Sequence, residues 1–232
     1  AFIHRVDPDI IDMQEVLHHQ LEVLKTGLPE YTVVGVGRED GKTAGEYAPI
    51  FFKQAKYTLL DQNTFWLCEK PDSVGMVGWD AALTRIATWV KLQDKKTGQI
   101  LMVVNTHFDH IGTEARRNSA LLIIEKIKEI VGTSPAILTG DFNVSEDWDA
   151  YKTITNNEFI LKDAHKVAGK RTGVDFTYHN FGKIPAEKCE KIDFIFVTPQ
   201  IRVISSYIPF SQLNDTLFLS DHNPEIVELE IK

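Results

Sequence analysis

The 232-residue sequence predicts an α/β protein built from two packed mixed, mainly antiparallel β-sheets flanked by helices. Three observations carry that expectation. About a dozen short apolar runs are separated by turns rich in Gly, Asp or Asn. Helical stripes are inserted after several of these runs, which a lone β-barrel would leave unexplained. No repeat of fixed period and no Pro-, Gly- or Ser-rich linker divides the chain, so residues 1–232 read as one domain.

Taken in order, residues 1–6 read as the tail of a helix that stops at Val6-Asp7-Pro8, because proline cannot continue the hydrogen-bond ladder. Ile10, Ile11 and Met13 form a short strand ending in Gln14-Glu15, and Val16, Leu17, Leu21, Leu24 and Leu28 follow at helical spacing. A meander of β-rich runs comes next: Tyr31 to Val36, Tyr47 to Lys53, Tyr57 to Leu60 and Thr64 to Cys68. Leu83 to Leu92 turns through Asp94-Lys95-Lys96-Thr97-Gly98 into Gln99 to Phe108, whose continuous apolar stretch suits a strand buried on both faces. Thr113 is placed to cap a helix with Glu114 in its first turn, and Leu121, Ile124, Ile127 and Val131 supply the inward stripe. A buried strand at Ala136-Ile137-Leu138 ends in Thr139-Gly140-Asp141-Phe142-Asn143, followed by a short helix over Trp148 to Thr155. Further strands are expected at Phe176 to Tyr178, Ile192 to Val197, Ile201 to Ile208 and Glu225 to Ile231.

Composition narrows the chemistry. With 25 Lys plus Arg against 33 Asp plus Glu, the net charge of −8 disfavours coating a long polyanion through bulk charge, while surplus carboxylate suits a bound divalent cation. The two cysteines, Cys68 and Cys189, lack the paired spacing of a zinc ribbon or redox site. No apolar stretch reaches the roughly 18 residues of a membrane span, and the first residues lack the layout of a signal peptide. The compartment stays open, and a monomer is expected. Trp66, Trp79, Trp148 and Phe181 are read as core residues with base stacking as the alternative.

Polar clusters recur beside apolar strands: Gln14-Glu15, Asn105-Thr106-His107-Phe108-Asp109, Gly140-Asp141-Phe142-Asn143 and Ser220-Asp221-His222. Singly, each is a turn or a satisfied core histidine; jointly, they assemble the carboxylates, imidazoles and amide of metal-assisted phosphate chemistry. Strand periodicity puts Asp141 with Asn143, and His107 with Asp109, on shared faces that could meet in one cleft. Asp193 begins its strand, and antiparallel pairing would bring it to the rim where neighbouring strands end. Glu15 is the leading magnesium ligand, and Asp193 with His222 forms a candidate carboxylate–imidazole pair. Gly41-Lys42-Thr43 misses the phosphate-loop spacing because Val36 stands where glycine is required, and no G-x-S-x-G or H-E-x-x-H occurs.

Asp9-Ile10-Ile11-Asp12-Met13-Gln14-Glu15-Val16, Asn105-Thr106-His107, Thr139-Gly140-Asp141-Phe142-Asn143, Lys191-Ile192-Asp193-Phe194-Ile195 and Ser220-Asp221-His222-Asn223-Pro224 stand in the order of five motifs. Together they resemble the endonuclease/exonuclease/phosphatase (DNase I-like) superfamily. That resemblance implies a four-layer α/β sandwich and a hydrolase attacking phosphorus directly with water. It implies Glu15 on Mg2+ (Mn2+ as substitute) with Asp221 near the metal, and Asp141 positioning or deprotonating the water. It implies Asn143 on phosphate or water, His222 oriented by Asp193, and His107 as a second phosphate-facing histidine. Glu46 matches a carboxylate that supports His107, and Arg85 matches a phosphate contact. The substrate class stays open among nucleic acids, phospholipid headgroups and inositol phosphates. The family opens with a strand carrying an Asn, and none precedes Ala1, so an N-terminal strand is expected to be missing. The alternative is a non-catalytic binding module that keeps the sandwich and its phosphate pocket.

Overall fold

The computed structural model describes residues 2–132, 134–156, 159, 161–214 and 217–232. They fall into two compact units, one ending at Ala115 and the other running from Arg116 to Lys232. Ala1, part of the expected first helix, lies outside the described residues.

In the first unit, helix α1 (Phe2–Val6) stops as expected, with Asp7 at φ +52° and its N–H bonded to the Ile3 carbonyl at 2.7 Å. Strands β1 (Ile10–Asp12), β2 (Tyr31–Val34) and β3 (Ile50–Lys53) pair antiparallel in the order β1-β3-β2, with Ile11 opposite Phe51 and Phe51 opposite Val33. Helix α2 (His18–Gly27) begins two residues later than its apolar spacing suggests. Val16 is held instead in an extended bridge to Tyr47, whose N–H donates to the Val16 carbonyl at 2.8 Å. Leu21 and Leu28 pack with Val16, Tyr31, Tyr47 and Phe51, and Ile3, Ile11 and Leu24 close the cluster. Each such side chain withdrawn from water contributes about 1.5–3 kcal/mol. β3 starts only at Ile50 because Pro49 has no N–H for the ladder; its carbonyl receives the Met13 N–H and the Asn105 amide.

Strands β4 (Tyr57–Trp66), β5 (Ile86–Asp94) and β6 (Ile100–His107) are antiparallel neighbours in that order. Sequence reading splits β4 into two runs because Asp61-Gln62-Asn63 resembles a turn. The strand instead runs through these residues, which are exposed, and absorbs a register shift between Leu59 and Asp61. β6 is buried along nearly its whole length, as its apolar run predicts.

Helix α3 (Thr113–Val131) carries the chain from one unit to the next. One detail of the inward stripe differs from expectation. Leu121 is exposed, and the buried apolar positions are Ala115, Ala120, Ile123, Ile124, Ile127 and Val131. The first-turn N–H groups of Glu114 and Ala115 donate to the Asp80 carboxylate at 3.2 and 2.6 Å, so a loop distant in sequence contributes to capping this helix start. Gly112 permits this approach, since a Cβ there would lie 2.6 Å from Asp80 Oδ1.

The second unit holds β7 (Ala136–Asp141), α4 (Asp149–Thr155), β8 (Lys162–Asp163), α5 (Ala164–Val167), β9 (Lys170–Gly173), β10 (Asp193–Val197), β11 (Ile201–Ile208), β12 (Gln212–Asn214), β13 (Leu217–Phe218) and β14 (Ile226–Ile231). β10 lies antiparallel between β7 and β8, while β11 pairs antiparallel with β14 and parallel with β9. Phe142, Phe194, Phe196 and Tyr151 interlock at ring separations of 5.0–6.0 Å between β7, β10 and α4. Phe176 to Tyr178 is not a strand: only Tyr178 pairs, in isolated bridges to Glu190 and His222. Among the described residues, no helix is long and apolar enough to cross a membrane.

Candidate active site

The end of β1 is where the first unit places its chemistry. Asn105, fully buried on β6, donates its amide to the carbonyls of Met13 and Pro49 at 2.7 and 3.0 Å, and its oxygen accepts from Gln14 Nε2 at 2.7 Å. These bonds fix the chain on either side of its departure from the sheet. The next residue, Glu15, sits at φ +60°, a region that costs a residue with a side chain of this size about 1–3 kcal/mol. The strained turn presents its carboxylate: the Glu15 side chain is 60% exposed, and Oε1 lies 3.9 Å from Nε2 of the buried His107.

His107 and Asp109 part company. Asp109, 1% exposed, is committed to the backbone N–H groups of Leu83, Ile111 and Gly112 and to Arg85 Nε at 3.4 Å. Burial opposes its charge, but the surrounding N–H donors win and hold the carboxyl far below the usual range. Arg85, 4% exposed, meets Asp109 and, through Nη2, His110 Nδ1 at 3.0 Å. Its burial and the neighbouring Arg38 charge both lower its pKa. Glu46 is paired with Arg38 at 2.5 Å. Asp109 thus anchors a loop and a guanidinium.

In the second unit, the antiparallel register sets Asp193, first residue of β10, directly opposite Asp141, last residue of β7. His222 reaches this pair from the segment before β14: its Nδ1 lies 2.7 Å from Asp193 Oδ2. Ligand atoms of Asp141, Asp193 and His222 all fall within 4.8 Å of one another. Burial alone would lower the His222 pKa, but the hydrogen bond and charge of Asp193, with Asp141 and Asp221 adding to it, push it up to about 9. The imidazole is therefore an imidazolium near neutral pH. Asn143 takes φ +51°, which asparagine tolerates well, and its N–H donates to Asp141 Oδ1 at 2.8 Å. Asp221 contributes its carbonyl to the N–H groups of His179 and Asn180, at 3.0 and 3.2 Å.

Two observations bear on a divalent cation. Glu15 offers a hard oxygen on an open, pre-bent turn, which suits magnesium. The Asp141, Asp193 and His222 group mixes oxygen with nitrogen, and one Asp193 oxygen is already taken by His222. That group fits a carboxylate–imidazole pair beside a second carboxylate better than a closed metal cage.

Of the four aromatics in question, Trp66 is core and donates its indole N–H to the Arg38 carbonyl at 2.7 Å, and Trp79 is half-buried. Trp148 and Phe181 are 42% and 49% exposed, and the Arg116 guanidinium lies 4.9 Å from the Trp148 ring centroid. Sequence reading missed Thr177, a buried residue whose hydroxyl accepts the N–H groups of Ile192 and Asp193. No motif marks it; its only signal is a place between two aromatic residues, Phe176 and Tyr178.

Comparison with known proteins is consistent with this chemistry. A structure of an endonuclease/exonuclease/phosphatase from Bacteroides vulgatus is 63% identical and superposes at a TM-score of 0.97, covering 100% of this chain and 88% of that one. A mannosyl-6-phosphatase from Bacteroides thetaiotaomicron is 37% identical at a TM-score of 0.93, covering 99% and 88%. An uncharacterized protein of Acanthamoeba polyphaga mimivirus is 28% identical over 242 residues, covering 98% of this chain and 88% of its own length. The fold class is that of the DNase I-like α/β proteins. Residues 1–222 match the Endonuclease/Exonuclease/phosphatase family, and the chain belongs to it.

Proposed function

We propose that residues 1–232 act as one catalytic domain that hydrolyses a phosphoester with the help of a divalent cation, by direct attack of water on phosphorus. The observation that carries this reading is the His222–Asp193 hydrogen bond at 2.7 Å with Asp141 opposite in the sheet register. A binding module would have no need of a charged imidazole locked to one carboxylate beside another. Glu15, with Asp221 as the secondary candidate, would hold Mg2+ or Mn2+, and the ion would supply charge neutralisation at the phosphoryl oxygens.

The remaining roles belong to side chains. Asp141 orients the attacking water and accepts its proton as the oxygen–phosphorus bond forms. Asn143, its backbone tied to Asp141, holds a phosphoryl oxygen. The His222 imidazolium donates from Nε2 to the charge that grows as the ester bond lengthens, while Asp193 stabilises the cation through Nδ1. His107 contacts phosphate from its buried seat, and Glu46 acts in its support. Arg85 acts on phosphate or through His110, which it touches.

Phosphorylated sugars are the first substrate class to examine, because the 37%-identical relative is a mannosyl-6-phosphatase. The test is a Mg2+ and Mn2+ screen over hexose 6-phosphates, inositol phosphates, phospholipids, DNA and RNA oligomers and a generic diester. Metal-dependent release of phosphate or of a hydrolysed ester is expected. Hydrolysis that is insensitive to EDTA, or no turnover on the whole panel, would overturn the reading.

A further inference from the structure

We propose that Thr177 and Lys191 are positioning residues that together hold the Asp193 carboxylate in register with His222. The inference rests on the hydrolase reading above. Asp193 occupies the first position of β10, where a strand end is free to fray, yet its backbone is gripped on both sides. Its N–H donates to Thr177 Oγ1 at 3.1 Å, an oxygen that also accepts from Ile192 N at 3.0 Å. Its carbonyl accepts from Lys191 Nζ at 2.7 Å.

Lys191 is fixed in turn. Its ammonium pairs with Glu225 Oε2 at 2.8 Å and lies 3.9 Å from the Phe194 ring centroid; the Lys191 and Glu225 side chains are 7% and 3% exposed. Glu225 Oε1 accepts from Ser206 Oγ at 3.1 Å, and Ser206 Oγ lies 2.8 Å from His165 Nδ1. An ion pair this deeply withdrawn from water brings little net stability, since apolar residues of the same volume often fold as well or better. Its placement on the carbonyl of Asp193 gives it a different use.

Thr177 grips the other partner too. Its carbonyl accepts the Asn223 N–H at 2.7 Å, immediately after His222, and its neighbour Tyr178 bridges His222 with ring centroids 4.9 Å apart. One buried threonine therefore ties the strand bearing the carboxylate to the segment bearing the imidazole. If either grip is released, Asp193 can swing while the rest of β10 stays paired.

The test uses the full chain with Thr177→Val, which keeps the shape but removes the acceptor oxygen, and Thr177→Ser, which restores it. A Lys191→Met/Glu225→Leu double variant removes the second grip without stranding a charge. The primary readout is the low-field His222 Nδ1–H signal in a nitrogen-15 correlation spectrum of the metal-free protein, which reports the bond to Asp193 directly. Thr177→Val and the double variant should lose or shift that signal upfield, and Thr177→Ser should retain it. With a substrate from the screen, kcat should fall about 10- to 100-fold at nearly constant KM, since displacements near 1 Å can cost 10²-fold. An unchanged signal and unchanged kcat in folded Thr177→Val would overturn the proposal. Should Thr177→Val not fold, the double variant decides by the same two criteria. If the parent protein turns over nothing, the hydrolase reading fails, and the spectrum still decides whether these residues set the pair.

Discussion

Arg85 donates a guanidinium N–H to His110 Nδ1 across 3.0 Å. A guanidinium has no acceptor atom, so the bond holds His110 in the tautomer that carries its proton on Nε2. The same guanidinium is paired with Asp109, and both side chains are almost wholly buried. Arg85→Met should therefore destabilise the protein by up to about 3–5 kcal/mol, because Asp109 would lose its cationic partner and be left with backbone N–H donors alone. Urea unfolding of the variant checks this; a loss under 1 kcal/mol would mean that the backbone donors around Asp109 suffice without the arginine.

His222 should titrate near pH 9 in the metal-free protein, well above the 6.5 of a free imidazole. Because the folded value is the higher one, the stabilisation it brings is fully present below pH 6.5 and disappears as pH rises through about 9. Proton titration by NMR should also show Asp193→Asn bringing the midpoint back toward or below the unperturbed value, since burial alone pushes it down.

Asp141→Asn and His222→Gln should each reduce kcat by about 10²- to 10⁴-fold, the usual range for one general acid or base. Their circular dichroism should match the parent. Equal turnover in both variants would remove Asp141 and His222 from the mechanism.

Glu15→Gln should weaken divalent-cation binding. In the parent, Mg2+ at about 100 times its Kd should raise unfolding free energy by roughly 2.7 kcal/mol, and EDTA should reverse the gain. Thermal melts with and without the ion read this independently of turnover. A parent Tm that ignores both Mg2+ and Mn2+ would contradict the cation assignment.

Asp80→Ala should cost about 1 kcal/mol by stripping the first turn of α3 of an acceptor. Denaturation curves of parent and variant check this; an unchanged midpoint would remove Asp80 from the cap.

Local pattern made most strands legible: the apolar run of β6, the short buried β7 and the alternation of β11 all fall within a residue or two of expectation. The helix of α3 was equally plain, but which of its apolar residues faced inward was not, because Leu121 and Ile124 lie on the same broad stripe and only packing decides between them. β4 was split because polarity at Asp61-Gln62-Asn63 signals a turn and an exposed strand alike. For the site, the Asp193–His222 pair was legible since both lie in strong motifs and strand polarity fixes which end of β10 meets Asp141. The commitment of Asp109 to loop N–H groups, the Arg38–Glu46 pair and the role of Thr177 were illegible, because each depends on the exact path of a loop, which carries no hydrophobic period to read.

The register slip in β4 also bears on solubility. β4 ends the strand order of its sheet, a position where an unpaired row of amides and carbonyls invites another chain to dock. The slip between Leu59 and Asp61 twists that row out of line, and the polar tract that follows faces water. This margin is thereby made a poor template for self-templated growth, which guards a concentrated solution of the protein at this border against fibril-like stacking.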